Sequence, residues 1–222
     1  MDLGTKLKNA RSILKTHGLR GLFLHVTRRL VWSVRGGEAC RIFLYELDTP
    51  QPRADAIQAA AGHTFRFATA EEIRALHADP AAEVVDQDLV AFDRGARCLL
   101  QYDGDALVGY TWLNASPLIH IMWGMHFNLP DDTAYNYKGF TAPAYRGKGF
   151  QPLRHLKVLE HIRDQGQRRL FGYVDHLNLN SIRGVRKSGY KKVGVLRCVR
   201  KPGGVRFKLK VRSDLWSRTI RT

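Results

Sequence analysis

Cysteine is scarce in this chain of 222 residues, and the three that occur lie far apart, at Cys40, Cys98 and Cys198. None forms a CxxC pair, the close spacing typical of structural zinc sites and redox motifs. This pattern argues against a disulfide framework and against a metal site, and it fits a protein of the reducing cytoplasm. We therefore expect three small apolar side chains in or near strands.

Long hydrophobic runs are also absent. A helix that crosses a bilayer needs about 20 apolar residues, whereas unbroken apolar pieces near the start are as short as residues 22–24. The start also lacks the apolar core and small-residue cleavage site of a signal peptide. What residues 1–41 do contain is a basic amphipathic pattern, with two predicted helices separated at Gly18. Their apolar positions recur every three or four residues: Leu3, Leu7, Ala10, Leu14, Leu19, Leu22, Phe23, Val26 and Leu30.

This basic extension has two interpretations. A basic helix with Trp and Phe on its apolar side is typical of an interfacial helix, here at the inner face of a membrane. Amphipathicity is equally expected of a helix that packs on the body of the protein, or on the second subunit of a homodimer.

Acidic residues are scarce at both ends of the chain. Residues 1–41 hold nine Lys and Arg against two Asp and Glu, and residues 183–222 hold fourteen against one. The middle carries a net charge of −4, so the overall charge of +16 comes from the ends. Such a field attracts an anionic membrane, an acidic acyl carrier protein or nucleic acid. Nucleic acid is the least favoured, because the sequence has no recognition motif and no run of aromatics interleaved with the cations.

The length and the 44% hydrophobic content predict one main domain, residues 42–212, followed by a short basic tail at 213–222. Thr69 and Glu72 have the spacing of a capping box and predict the start of a helix. Further helices are expected over residues 83–92, after Gly149 and after Asn178. Strands are predicted at residues 41–47, 64–67, 135–141 and 170–174, with hairpins over residues 98–114, turned at 103–104, and over residues 193–211; residues 118–127 form a further apolar run.

One stretch near the middle of the chain combines a strand with a turn suited to binding phosphate. Pro143 ends the strand, because it cannot donate to the ladder. Gly147 and Gly149 let the backbone approach a ligand, and the helix that follows begins with N–H groups that have no partner in the helix. Arg146 and Lys148 add positive charge. The stretch is a candidate anion site; the alternative is an ordinary strand-to-helix turn whose cations face water.

A second pattern follows later in the chain, made by Asn178, Ser181, Lys187, Gly189 and Tyr190. In this order, the two patterns resemble the donor motifs of the GNAT superfamily of acyl-CoA-dependent N-acyltransferases. The first family motif is Arg or Gln, two residues, Gly, one residue, then Gly or Ala. Residues 146–151 match it except at the last position. The resemblance covers residues 65–209, most of the chain.

The resemblance implies an α/β (α+β) fold, with a mixed, mostly antiparallel twisted sheet flanked by helices. It also implies an enzyme that moves an acyl group from acetyl-CoA or a longer acyl-CoA to a primary amine. The pantetheine arm would lie where strand 135–141 parts from strand 170–174, against free backbone groups. The residues implied in donor binding are Gly139, Phe140, Thr141, Arg146, Gly147, Lys148, Gly149, Phe150, Gln151, Asn178 and Ser181. Asn178 is equally expected to cap the helix that follows it.

Two positions depart from the family pattern. Gln151 replaces the small residue, which leaves the backbone donors in place, and Val185 replaces the Tyr that protonates the leaving thiolate in many members. No catalytic triad is apparent, so positioning would supply most of the catalysis. His126 and Asp175 are the candidate general bases, because each lies at the end of an apolar segment near the expected gap. A histidine in such a place is also often structural.

The sequence leaves several functions open. The first is N-acyl transfer from acyl-CoA to an amino sugar, an amino acid or an amino-lipid, and the basic ends would favour an acceptor at a membrane surface. The second is long-chain transfer from an acyl carrier protein. The third is a non-catalytic module of the same fold that binds anionic partners, and Val185 favours it.

Overall fold

The computed structural model describes residues 38–50, 52–116, 118–120, 126–201, 203–211 and 220–221. The two predicted helices of residues 1–35 and most of the tail at 213–222 lie outside this part. Within the described residues, no helix is both long enough and apolar enough to cross a bilayer.

The described part contains eleven strands and five α-helices. The strands are β1 (Glu38–Leu47), β2 (His63–Phe67), β3 (Arg97–Asp103), β4 (Ala106–Asn114), β5 (Leu118–His120), β6 (His126–Asn128), β7 (Thr133–Thr141), β8 (Arg169–Asp175), β9 (Lys191–Lys201), β10 (Gly204–Val211) and β11 (Ile220–Arg221). The helices are α1 (Ala54–Ala59), α2 (Ala70–Ala78), α3 (Asp86–Asp93), α4 (Phe150–Arg163) and α5 (Leu179–Lys187), with short 3₁₀ turns at Pro80–Ala82 and Pro143–Tyr145.

Eight of the strands form one sheet in the order β10-β9-β1-β8-β7-β4-β3-β2. Its neighbours are antiparallel except for β7 and β8, which are parallel. The predicted mixed, mostly antiparallel sheet with flanking helices is therefore confirmed. A smaller sheet of β11, β6 and β5 was not predicted, because β5 and β6 lie within one apolar run of the sequence.

Both faces of the large sheet are covered by apolar side chains. Leu170 and Phe171 are neighbours on β8 and point to opposite faces, as successive strand residues do. Leu170 packs with Val158 of α4, whereas Phe171 packs with Ile119 of the smaller sheet. The three cysteines are buried in β1, β3 and β9, so their predicted place in strands is confirmed.

Local signals set the ends of the helices. The capping box is confirmed, since Thr69 Oγ1 accepts from the Glu72 amide at 3.3 Å and Glu72 Oε2 accepts from the Thr69 amide at 2.9 Å. The helix predicted over residues 83–92 is wrong at its start. Glu83 has a left-handed φ of 60°, and α3 begins at Asp86. There Asp88 accepts a hydrogen bond from the Val85 amide at 2.8 Å, which fixes the later start.

The pairing of β4 with β7 is tight at Gly109, and this closeness gives a test of the fold. A Cβ atom at this position would lie 2.3 Å from the Phe140 carbonyl oxygen and 2.9 Å from Nη1 of Arg154. We expect Gly109→Ala to lower the free energy of unfolding by roughly 3 kcal/mol, because backbone atoms cannot yield as a side chain can. Urea unfolding followed by circular dichroism measures the change.

Gly62→Ala is the matched control, because a Cβ there meets nothing within 4 Å. Its effect should stay within about 1 kcal/mol. Equal effects of the two substitutions would contradict the close approach of β4 and β7.

Candidate functional site

A cleft opens where β7 and β8 part. The two strands pair only at Thr133 with Arg169, Ala134 with Leu170, and Tyr135 with Phe171. Beyond the last pair β7 stays with β4, and a cavity of about 280 Å³ separates it from β8. The strands therefore diverge as the resemblance implies.

A bulge in β7 accompanies this divergence. Lys138 adopts a left-handed φ of 47°, and the register between β4 and β7 shifts between Tyr110 and Trp112. The Lys138 ammonium donates to Asp88, which is buried at the start of α3. This ion pair holds a backbone conformation that a lysine rarely adopts.

The Gly-rich turn forms a second cavity beside the first. Gly147 and Gly149 have φ values of 82° and 81°, in the left-handed region. Gly149 is the N-cap of α4, and among the described residues no side chain caps this helix. Its first-turn amides therefore lack a side-chain acceptor, which makes the turn suited to an anion. The cavity measures about 540 Å³.

Four cations line the second cavity: Arg53, Arg146, Arg183 and Lys187. Arg146 Nε also donates to the Thr141 carbonyl at 2.9 Å, so its side chain folds over the turn. Lys148, predicted to contact the donor, is not among the residues that line either cavity; its Nζ lies 5.0 Å from the centre of the Tyr145 ring.

Gln151 lies between the two cavities. It lines both of them, together with Gly139, Asn178 and Ser181. A Cβ on Gly139 would be 3.3 Å from Gln151 Nε2, and one on Gly184 would be 3.0 Å from its Oε1. The carboxamide thus occupies the space that two glycines leave between β7 and α5, which is how the fold accommodates the larger residue.

Two of the backbone groups expected to be free at the end of β7 are already bonded. Arg154 is fully buried, and its Nη2 donates to the Phe140 carbonyl at 3.0 Å and to Thr141 Oγ1 at 2.6 Å. The Thr141 carbonyl accepts from Arg146. Gly139, at the bulge, is the residue of the three that faces both cavities.

Asn178 caps α5, since its Oδ1 accepts from the Ser181 amide at 3.0 Å. Both residues also line the two cavities, so capping and ligand contact are compatible at this position. Phe150 is buried at the start of α4 and borders the second cavity.

The two candidate bases lie in different places. Asp175 ends β8, lines the first cavity and accepts from the Leu177 amide at 2.8 Å. His126 lies on β6 of the smaller sheet and is not among the residues that line either cavity. Val185, which replaces the Tyr of the family pattern, lines the first cavity.

Sequence reasoning missed His155, which lines the first cavity from α4. Its ring lies edge-on to Tyr190, with the ring centres 5.2 Å apart, and its Nδ1 has no hydrogen-bond partner among the described residues. Burial, with a smaller effect from Arg154, lowers the pKa of His155 to about 3, so the imidazole is neutral at physiological pH. The available signal was its spacing of four from Gln151, which puts both on one face of the helix.

A buried hydrogen-bond chain supports the floor of the first cavity. The Tyr190 hydroxyl donates to Asn136 Oδ1 at 3.1 Å. Asn136 Nδ2 donates in turn to Thr111 Oγ1 at 2.9 Å and to the Trp112 carbonyl at 3.0 Å. These bonds satisfy polar groups that would be costly to bury alone. The described residues contain no group of three His, Cys, Asp or Glu that could hold a metal ion.

No family model and no curated protein matches the chain. Several solved structures resemble it at low sequence identity. A GCN5-related N-acetyltransferase-like protein from Streptococcus suis is 11% identical, with a TM-score of 0.47 over 80% of this chain and 66% of that one. A GNAT-family acetyltransferase from Colwellia psychrerythraea is 11% identical, with a TM-score of 0.43 over 82% and 61%. A Salmonella typhimurium protein described as an acetyltransferase and solved with acetyl-CoA is 16% identical, with a TM-score of 0.41 over 69% and 95%. The chain spans less than two thirds of the first two structures, and the likeness concerns the fold alone.

Burial of His155 predicts a dependence of stability on pH. In the unfolded chain, His155 takes up a proton below its ordinary pKa of 6.5. In the folded chain, His155 stays neutral until about pH 3. The free energy of unfolding should therefore fall as the pH drops through this window, by up to about 1.4 kcal/mol per pH unit from this residue. We expect His155→Leu to remove that part of the slope in urea unfolding at pH 7 and pH 4.5.

Leu153→Ala is the control, because Leu153 is a buried residue of α4 that carries no titratable group. This variant should keep the wild-type loss between the two pH values. If His155→Leu also lost as much stability between pH 7 and pH 4.5 as the wild type, burial of His155 would not be the cause of that loss.

Proposed function

We propose that this protein is an N-acyltransferase that moves an acyl group from a CoA thioester to a primary amine. The observation that carries the proposal is the parting of β7 and β8 beside an uncapped, Gly-rich helix start. The two motifs quoted from the sequence meet at this place, since residues 146, 147 and 149–151 line the same cavity as Asn178.

The second cavity would take the phosphate end of the donor. The first-turn amides of α4 provide hydrogen-bond donors for a diphosphate, and Arg183 and Lys187 provide charge on the opposite wall. The arm of the donor would then pass Gln151 into the first cavity, where its thioester would lie near the backbone of Gly139.

The chemistry at the first cavity needs a neutral amine, a stabilised oxyanion and a proton for the leaving thiolate. Asp175 is the group we assign to accept the proton of the amine, because it borders the first cavity at the end of β8. Tyr137 also lines this cavity, and burial raises its pKa, so it keeps its proton and would donate a hydrogen bond to the leaving thiolate in place of the absent family Tyr. The proton that the thiolate takes up would be the one that Asp175 accepts from the amine.

The charge of the chain supports some acceptors over others. The cationic ends favour an amine that is attached to an anionic or lipid-linked molecule, and they equally fit a donor held on an acidic acyl carrier protein. Amino sugars, amino acids and amino-lipids are the acceptor classes to test. Acetyl-CoA, the ligand of the Salmonella structure, is the first donor to try, followed by longer acyl-CoA.

Release of free thiol from acyl-CoA, in the presence of pools of amines, tests the proposal directly. Arg183→Gln with Lys187→Gln should raise KM for the donor about tenfold and leave kcat nearly unchanged, because two charge-assisted contacts to phosphate are lost. Arg186→Gln with Lys191→Gln removes two exposed cations that do not line the second cavity, and it should leave KM unaltered.

Calorimetric titration of acyl-CoA separates the enzyme from the binding module. Donor binding with no thiol release from any amine pool would favour a non-catalytic protein of this fold. An absence of donor binding would overturn the site itself. Substitution of Gly149 is not a suitable test of donor binding, because a side chain there would strain the backbone and would lie 3.1 Å from the Ala56 Cβ.

A further inference from the structure

Three cations stand directly opposite one another at the end of the large sheet. Arg41 of β1 pairs with Arg197 of β9, and Arg197 pairs with Lys208 of β10. Residues that face each other across antiparallel strands point to the same side, with Cβ atoms about 5 Å apart. The three side chains therefore form a row of like charge across three strands.

The positions on either side of this row extend the same surface. Val199 pairs with Arg206, and Val195 pairs with Lys210, so β10 presents two further cations on this side. We call Arg41, Arg197, Arg206, Lys208 and Lys210 the basic face. All five are exposed, and none has a carboxylate partner among the described residues.

The acidic residues of β1 lie on the other side of the sheet. Glu38 and Glu46 alternate with Arg41 along the strand, because successive side chains point to opposite faces. Glu38 pairs there with Arg200, whose Nη2 lies 2.8 Å from its carboxylate. The two sides of this part of the sheet thus differ in charge: one carries paired ions and the other carries cations alone.

Such an arrangement weakens the sheet unless an anion is bound, because like charges directly opposite each other are destabilising. Lysines on an edge strand can serve to prevent pairing with another sheet. That explanation covers β10, which is the edge, but it does not cover Arg41 and Arg197 on the inner strands β1 and β9. The row therefore indicates a polyanionic partner.

We propose that the basic face docks on the phosphate groups of an anionic lipid bilayer. The face is formed by three adjacent strands, and two half-buried apolar side chains, Val195 and Val199, lie among its cations. A surface of cations interleaved with apolar groups fits the boundary between headgroups and acyl chains.

The same surface fits nucleic acid less well. The row lies on strands of the sheet rather than on a helix, the element that most often enters the major groove. Two aromatic rings lie on this side of β1, and neither is open to stack on a base. Tyr45 is buried, and Phe43 is covered by Lys192, whose Nζ is 3.7 Å from the ring centre.

The place of the basic face in the fold bears on which acceptor the protein would use. Docking on a bilayer does not itself depend on the proposed acyl transfer. The Arg41 carbonyl accepts a hydrogen bond from the amide of His176, the residue after Asp175, at 3.0 Å. The basic face therefore adjoins the strand end that borders the first cavity, and a bilayer held there would bring lipid-linked amines close to the cleft.

Co-sedimentation of the full chain with phosphatidylglycerol–phosphatidylcholine vesicles tests the proposal, with phosphatidylcholine vesicles for comparison. Replacing Arg197, Lys208 and Lys210 by Gln should lower vesicle affinity about 100-fold, since each basic residue near an anionic surface contributes about fivefold. Replacing Arg74, Arg94 and Lys157 by Gln is the matched control. It removes the same charge from exposed positions on α2, at the end of α3 and on α4, outside the basic face. It should change affinity less than threefold, well under the roughly 100-fold expected above.

Equal losses in the two triple variants would overturn the proposal, because binding would then follow net charge alone. Retained binding in the Arg197, Lys208 and Lys210 variant would also overturn it. The proposal would also be overturned if the wild-type protein bound duplex DNA more tightly than vesicles of equal phosphate concentration, and if the same triple variant bound that DNA more weakly. Thermal melts check folding: the variant should melt no lower than the wild type, because the opposed charges are gone.

Discussion

Strand β7 pairs with β8 over its first three residues and with β4 from Tyr135 onwards, and this exchange of partners is the constraint on which the site depends. A parallel neighbour that followed β7 throughout would close the space between the strands and use its backbone groups. Instead the ladder with β8 ends after three residue pairs. The bulge at Lys138 increases the local twist at the point of departure, as bulges do.

An open cleft in a sheet lowers stability, because strand β7 loses its ladder with β8, unless other contacts fix β7 in place. Three buried or half-buried polar contacts do this. Asp88 holds the bulge through Lys138; Arg154 holds the Phe140 carbonyl from α4; Asn136 ties β7 to β4 and to Tyr190. Burial lowers the pKa of the Arg154 guanidinium to about 10, so it remains charged at neutral pH and its hydrogen bonds are of the strong, charge-assisted kind. The polar network therefore supports an opening that apolar packing alone would tend to close.

The parts of the fold that could be predicted from the sequence are those decided by near neighbours. The capping box of Thr69 and the strand, turn and helix around Gly147 and Gly149 each need only a few adjacent residues. The bulge could not be predicted, because a lysine in the left-handed region depends on Asp88, fifty residues earlier in the chain. Arg154 and His155 resembled the exposed cations of a basic helix, and only the packed sheet shows that both are buried. The row of cations likewise depends on the register of β1, β9 and β10, which no local pattern specifies.

The fit of Gln151 between Gly139 and Gly184 has a consequence for how this protein can diverge. A side chain added at either glycine meets the carboxamide first, so neither position can vary freely while Gln151 is present. Shortening residue 151 releases both at once. Mutational paths through this cleft therefore have a preferred order, in which the glutamine is exchanged before the glycines. If a glycine is replaced first, the Gln151 carboxamide has to move aside.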